Sequence, residues 1–222
     1  MLTVQHLTTG YGKKQVLTDV SFHINAGEIA LLTGGNGSGK STVLKSIYGL
    51  LSPWQNGGRL RGKILFEDND ITSIHPYKLL KLGIAYMPQK KNVFEDFTAE
   101  ENLLTAASIY SKGDAKQRIK HVMQNIPRLA ELRKRSPFSM SGGERQLLAF
   151  GCAMLHLPKL MLLDEPFAGV DEKYSRLLLA IIRHLYNEGI TFLIIEHKKF
   201  LFEVVDYRII ELELGEIKHE KI

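Results

Sequence analysis

The segment Gly34-Gly35-Asn36-Gly37-Ser38-Gly39-Lys40-Ser41 constrains this chain more than any other. It follows an apolar strand-like run, Glu28 to Thr33, and precedes Ser41 to Leu50, where Val43, Leu44 and Ile47 recur at helical spacing. Strand, loop and helix in that order, with Gly, any four residues, Gly, Lys and Ser, make a phosphate loop. Glycines are required because successive backbone N–H groups must curl around anionic oxygens, and the helix adds its positive N-terminal end. Lys40 is suited to the β and γ phosphates and the Ser41 hydroxyl to Mg2+. Gly35, Asn36, Gly37, Ser38, Gly39, Lys40, Ser41 and Thr42 are therefore the candidate nucleotide-binding set. The dinucleotide fingerprint is excluded, since counting from Gly35 its third glycine position is Lys40.

A second run, Leu160-Met161-Leu162-Leu163-Asp164-Glu165, is an apolar strand ending in two carboxylates. Alone, such a pair is more often a helix cap with first-turn charge. Downstream of a phosphate loop it reads as a metal carboxylate, Asp164, beside a candidate general base, Glu165.

The 222 residues suffice for one compact unit, residues 1–222, and the 44% hydrophobic and 24% charged content fits a globular chain rather than a disordered one. No apolar run approaches the roughly 20 residues a membrane helix needs. A lone Cys152 excludes an internal disulfide framework, and the N-terminus has no signal-peptide pattern, so a cytosolic location is expected. Between Lys112 and Arg135 eight basic residues meet two acidic ones, a local +6 that reads as a solvated helical face or as an attractor of acidic partners.

The chain opens with strands over Leu2 to Leu7 and Val16 to Ile24 around the turn at Thr9 to Gly12, an antiparallel start, and Lys63 to Glu67 adds another strand. Tyr77 to Leu82 reads as a short helix. From Asn92 to Ser139 the pattern is helical, with a capping box at Thr98 to Glu101, and a helix from Ser141 to about His156 follows. The strand Leu160 to Leu163, a helix near Tyr174 to Glu188, the strand Ile190 to Ile195 and a hairpin at Leu214 to Glu216 complete the chain. The fold expected is α/β: a mostly parallel sheet with packed helices, an antiparallel β subdomain, and a helical subdomain inserted at about 92–155.

Phe138-Ser139-Met140-Ser141-Gly142-Gly143-Glu144-Arg145-Gln146 lies between the two motifs. It resembles the signature of ATP-binding-cassette (ABC) ATPases, whose phosphate-loop core the whole chain then follows. Ser141 with Glu144 is also a capping box, and the two readings are compatible. The resemblance implies that Ser141, Gly142, Gly143 and Glu144 contact the γ-phosphate held by an opposed protomer. It also implies an adenine-stacking role for Tyr11, Mg2+ and water contacts for Gln89, an interface position for Asp171 and a γ-phosphate switch role for His197. Glu144 departs from the commoner glutamine.

The resemblance implies an ATPase that binds ATP and Mg2+, with Ser41, Gln89 and Asp164 at the metal and Glu165, His197 and Gln89 in catalysis. One phosphate loop and one signature per chain imply a second cassette, an identical copy or a paralogue, facing it head to tail. Separate transmembrane permease subunits would dock near the Gln89 loop, placing the protein on the cytoplasmic face of the membrane. The segments Val93 to Leu103 and Met140 to Glu144 look like ATPases of branched-chain amino-acid importers, and Asp164 to Asp171 more like the lipopolysaccharide-export ATPase. A soluble cassette ATPase of iron–sulfur assembly or nucleic-acid function is the alternative; nucleic acid is not an expected partner, because those architectures carry a coiled coil or two cassettes.

Overall fold

The computed structural model describes residues 1–51, 60–90, 92–196 and 206–221. Its first sheet is antiparallel, built from β1 (Leu2–Tyr11), β2 (Lys14–Ile24), β4 (Arg61–Phe66) and the two-residue β5 (Asn69–Asp70) in the order β2-β1-β4-β5. The second holds β3 (Ile29–Thr33), β6 (Ile84–Met87), β7 (Leu160–Asp164), β8 (Thr191–Ile195), β9 (Arg208–Glu213) and β10 (Glu216–Lys221) in the order β10-β9-β3-β8-β7-β6. All its pairings are parallel except that of β10 with β9.

Every residue of β3, β7 and β8 is buried, which explains why these strands read as continuous apolar runs rather than alternating ones. Alternation survives as a choice of core. Ile29, Leu31, Met161, Leu163, Phe192 and Ile194 face a helical core with α3 (Ala99–Ala106), α4 (Lys112–Asn125), α5 (Pro127–Leu132), α6 (Gly142–Met154) and α7 (Glu172–Asn187). Ala30, Leu32, Leu160, Leu162, Leu193 and Ile195 face α1 (Lys40–Ile47), α2 (Pro76–Leu82) and the antiparallel sheet. At roughly 1.5–3 kcal/mol per buried aliphatic side chain, these strands supply much of the drive for both cores.

The helical region is not helical throughout. Residues 92–98 form a loop held by the buried Asn102, whose amide donates to the carbonyls of Phe94, Phe97 and Thr98 at 3.0, 3.2 and 3.0 Å and whose oxygen accepts from the Phe94 N–H at 2.7 Å. The first helix ends at Ile47 rather than Leu50, because Gly49 turns left-handed (φ +70) against the Ile74 carbonyl. The basic stretch is partly self-satisfied. Arg118 donates to the Leu155 carbonyl at 3.1 Å, Arg133 approaches Glu100 at 3.9 Å, Arg135 reaches the Ser139 carbonyl and Arg128 pairs with Glu144 and Glu131, leaving the exposed Lys134 and an exposed stripe of Lys112, Lys116 and Lys120 along α4.

Candidate active site at the strand ends

The phosphate loop starts where β3 ends, between β8 and β9. Gly34 and Gly39 have φ of +142 and +108, and a Cβ at either would stand 2.0 Å from the Leu212 carbonyl oxygen or 2.6 Å from Leu17 Cδ2. Only glycine lets the chain turn that tightly here. The helix α1 begins at Lys40 with no side-chain cap at Gly39, so its first-turn N–H groups are left for an anion. The buried Ser38 hydroxyl likewise has no partner in the loop. Lys40 Nζ folds over the loop onto the carbonyls of Gly34 and Gly35, 2.9 Å from each. Burial pulls its pKa down, and Glu165 and Asp164 oppose that pull.

Asp164 ends β7 with 3% exposure. Its Oδ1 accepts from the Ser41 hydroxyl at 3.1 Å and its Oδ2 from the Tyr86 hydroxyl at 3.3 Å. Burial raises its pKa, with the Ser41 hydrogen bond opposing. Because the folded value exceeds the unfolded one, Asp164 stabilises the fold only while protonated, and that contribution is lost as the pH rises through the folded value. Nucleotide-free Asp164→Asn should therefore melt above wild type by a margin that widens as the pH rises past the usual carboxylate range; a margin flat across a melting series would refute it.

The register of β6 on β7 pairs Met87 with Leu163, so two residues farther on Gln89 lies beside Glu165. Gln89 Nε2 donates to Glu165 Oε2 at 2.5 Å. Glu165 itself holds φ +51, uncommon for a residue with a Cβ, and its N–H donates to the Ile195 carbonyl at 3.0 Å. The carboxylate is thereby aimed back across the strand end. Lys40, Ser41, Gln89, Asp164 and Glu165 thus converge.

The signature residues are built differently. Ser141 caps α6 by accepting from the Glu144 N–H at 3.2 Å, while the Glu144 carboxylate accepts from the Ser141 N–H at 2.9 Å. A Cβ at Gly142 would stand 2.8 Å from the Gly169 carbonyl oxygen, and one at Gly143 would collide with the Tyr174 ring at 2.5 Å. Both glycines therefore serve close packing. Gly142 lines a cleft of about 410 Å³ with Gln89, Asn92, Gln146 and Gly169, to which the phosphate loop contributes nothing. Asp171 caps α7 by accepting from the Tyr174 N–H at 3.0 Å.

The model of the ABC transporter family matches residues 17–168. The chain belongs to that family. It is 38% identical over 88% of its length, and 81% of the relative's, to the probable branched-chain amino acid transport ATP-binding protein LivF of Archaeoglobus fulgidus. It is 34% identical over 88% of its length, and 80% of the relative's, to the lipopolysaccharide export system ATP-binding protein LptB of Escherichia coli K12. In three dimensions it resembles the ADP conformation of MJ1267, an ATP-binding cassette of an ABC transporter, with a TM-score of 0.86 and 28% identity over 99% of this chain and 90% of the other. The chain is therefore the ATP-binding, ATP-hydrolysing subunit of an ABC transporter, and the soluble non-transport alternative is not favoured. Among the described residues no helix is long and apolar enough to cross a membrane.

Within the cassette, Tyr11 ends β1 and is 43% exposed, open to a stacking base. Its replacement by alanine should weaken ATP binding about 10-fold with little change in maximal rate; titration with a fluorescent ATP analogue checks this, and unchanged affinity would leave the ring a turn filler. His197 lies outside the described residues. Sequence reasoning missed Tyr86, which touches Asp164 across the β6–β7 pair, and Arg128 with Tyr174, which hold Glu144. Tyr86 stands three residues before Gln89, but only the placing of β6 beside β7 brings its hydroxyl to Asp164.

Proposed function

We propose that this cassette binds Mg2+–ATP against Lys40, Ser41 and Asp164, hydrolyses it with Glu165 as general base, and does so paired with a second cassette whose Ser141 to Glu144 segment closes the site. The observation that carries the reading is the convergence of Ser41, in the first turn of α1, with Asp164, Glu165 and Gln89 at the carboxyl ends of the paired strands β7 and β6. The oxygen-rich set of Ser41, Asp164 and Gln89 suits a hard cation that keeps several waters and phosphate oxygens among its ligands. When bound, Mg2+ neutralises charge developing on the phosphate oxygens.

The residues of the chain do the rest. Lys40 exchanges the Gly34 and Gly35 carbonyls for phosphate oxygens, and the uncapped N–H groups of α1 hold the anion. Release of Gln89 from Glu165 frees a carboxylate oxygen to take a proton from the attacking water. His197 is assigned to the γ-phosphate and Asp171 to the cassette interface by the family pattern. Gln89 is shared by the catalytic group and the cleft beside Gly142, which supports that cleft as the place where a permease signals to the site.

The relatives' names favour branched-chain amino acids as the cargo of the separate permease subunits, with the cassette on the cytoplasmic face of the membrane. Purification from detergent-solubilised membranes, followed by amino-acid uptake in proteoliposomes, tests this. Isolation with an integral membrane partner and ATP-driven uptake of leucine or valine is the expected result. Uptake of neither, or recovery in a soluble assembly complex, would overturn it.

A further inference from the structure

Glu144 occupies the third position of α6, where a capping-box acid is ordinarily solvated, yet it is only 5% exposed. Its Oε2 accepts from the Ser141 N–H at 2.9 Å. Its Oε1 accepts from Arg128 Nη2 at 2.7 Å and from the Tyr174 hydroxyl at 3.2 Å. Burial works against the charge, but the Ser141 N–H, Arg128 and Tyr174 outweigh it and hold the carboxyl below the usual range, so it stays an anion.

Three elements meet on this one side chain. Arg128 belongs to α5 and also binds the exposed Glu131. Tyr174 stands in the first turn of α7, its N–H held by the Asp171 cap and its ring pressed on Gly143. Gly142 meets the Gly169 carbonyl in the loop that leads to Asp171. The helix start that would receive a phosphate is therefore fastened on one side to α5 and on the other to the Asp171 loop.

An anion at that helix start opposes phosphate binding unless it is turned away and neutralised. We propose that Arg128 and Tyr174 are positioning residues for the signature: by engaging Glu144 they turn its charge inward, leave Ser141 and the N–H groups of Gly142 and Gly143 to the nucleotide of the opposed cassette, and make the Asp171 loop move with them. Glu144 on this account acts through the helix start rather than as a phosphate ligand. The inference rests on the paired-cassette reading given above.

Arg128→Met tests it, because the change leaves a buried carboxylate with no cation. ATP affinity of the single cassette, set by Tyr11 and the phosphate loop, should be unchanged, whereas kcat should fall about 10-fold or more. In the Glu165→Gln background, Mg2+–ATP-driven pairing seen by analytical ultracentrifugation should need about 10-fold more protein. Adding Glu144→Gln to Arg128→Met should restore most of both losses, since a neutral amide keeps the acceptor for Ser141 and needs no cation. General loosening of the fold would instead lower ATP affinity and resist that rescue. Tyr174→Phe, which deletes one hydroxyl, gives a second reading should Arg128→Met fold poorly, with a smaller kcat loss and unchanged ATP affinity. Wild-type kcat in Arg128→Met and Tyr174→Phe, or a kcat loss that Glu144→Gln fails to rescue, would overturn the inference. Failure of Glu165→Gln alone to pair would count against the paired-cassette reading instead.

Discussion

Glu165→Gln should bind ATP as wild type does and hydrolyse it about 10²-fold more slowly or worse. The substitution keeps the size of the side chain and an oxygen that can accept from Gln89 Nε2, so the 2.5 Å contact and the strained backbone at Glu165 have no cause to move. What disappears is the capacity to take a proton from water. Turnover measured against ATP concentration, beside equilibrium ATP binding, separates the two effects. A variant that turns over at the wild-type rate would remove Glu165 from the chemistry and leave Asp164, already committed to Ser41 and Tyr86, without a partner base. The same variant with Mg2+–ATP should sediment as a pair, because the step that reopens it has been slowed.

Gly34→Ala should destabilise the nucleotide-free protein by roughly 2–4 kcal/mol, combining left-handed backbone strain with overpacking. The obstacle is backbone: the Leu212 carbonyl lies 2.0 Å from the new methyl, and Leu212 is held in β9 by its pairing with Ile217 of β10 and by the pairing of Glu211 with Thr33 of β3. At about 2–4 °C per kcal/mol for a chain of this size, the melting temperature should drop by roughly 4–16 °C. Gly35→Ala is the control, since its Cβ would meet nothing within 4 Å. Equal melting of the two variants would show that the loop yields more easily than its contacts imply.

Local chemistry was legible in the sequence where one stretch of chain supplies all of it. The phosphate loop, the strand ending in Asp164 and Glu165, and both capping boxes, Thr98 with Glu101 and Ser141 with Glu144, are such stretches, and the structure contains each. What escaped depends on neighbours distant in sequence. The hairpin expected at Leu214 to Glu216 is formed by β9 and β10, but Glu211 and Glu213 make β9 read as half-polar and hid its parallel pairing with β3. Strand β6 is four residues directly after a helix, too short for a period to show. The sum of charges from Lys112 to Arg135 could not reveal that Arg128 is committed to a glutamate 16 positions away. Nor could an alternating pattern assign the fully buried β3, β7 and β8 to two cores, because both faces are buried.

The posture of Lys40 bears on how fast this site can be refilled. Its ammonium already spans the loop, satisfied by two carbonyls at equal distance, so the loop holds its shape through an internal substitute for the ligand. An arriving triphosphate trades one set of acceptors for another and orders little that was free, which spares it much of the entropic cost of docking. Departure is the same trade reversed, with the lysine returning to its own backbone. On the proposed reading, such a latch keeps capture and release close in free energy and leaves the stroke itself to the meeting of two cassettes.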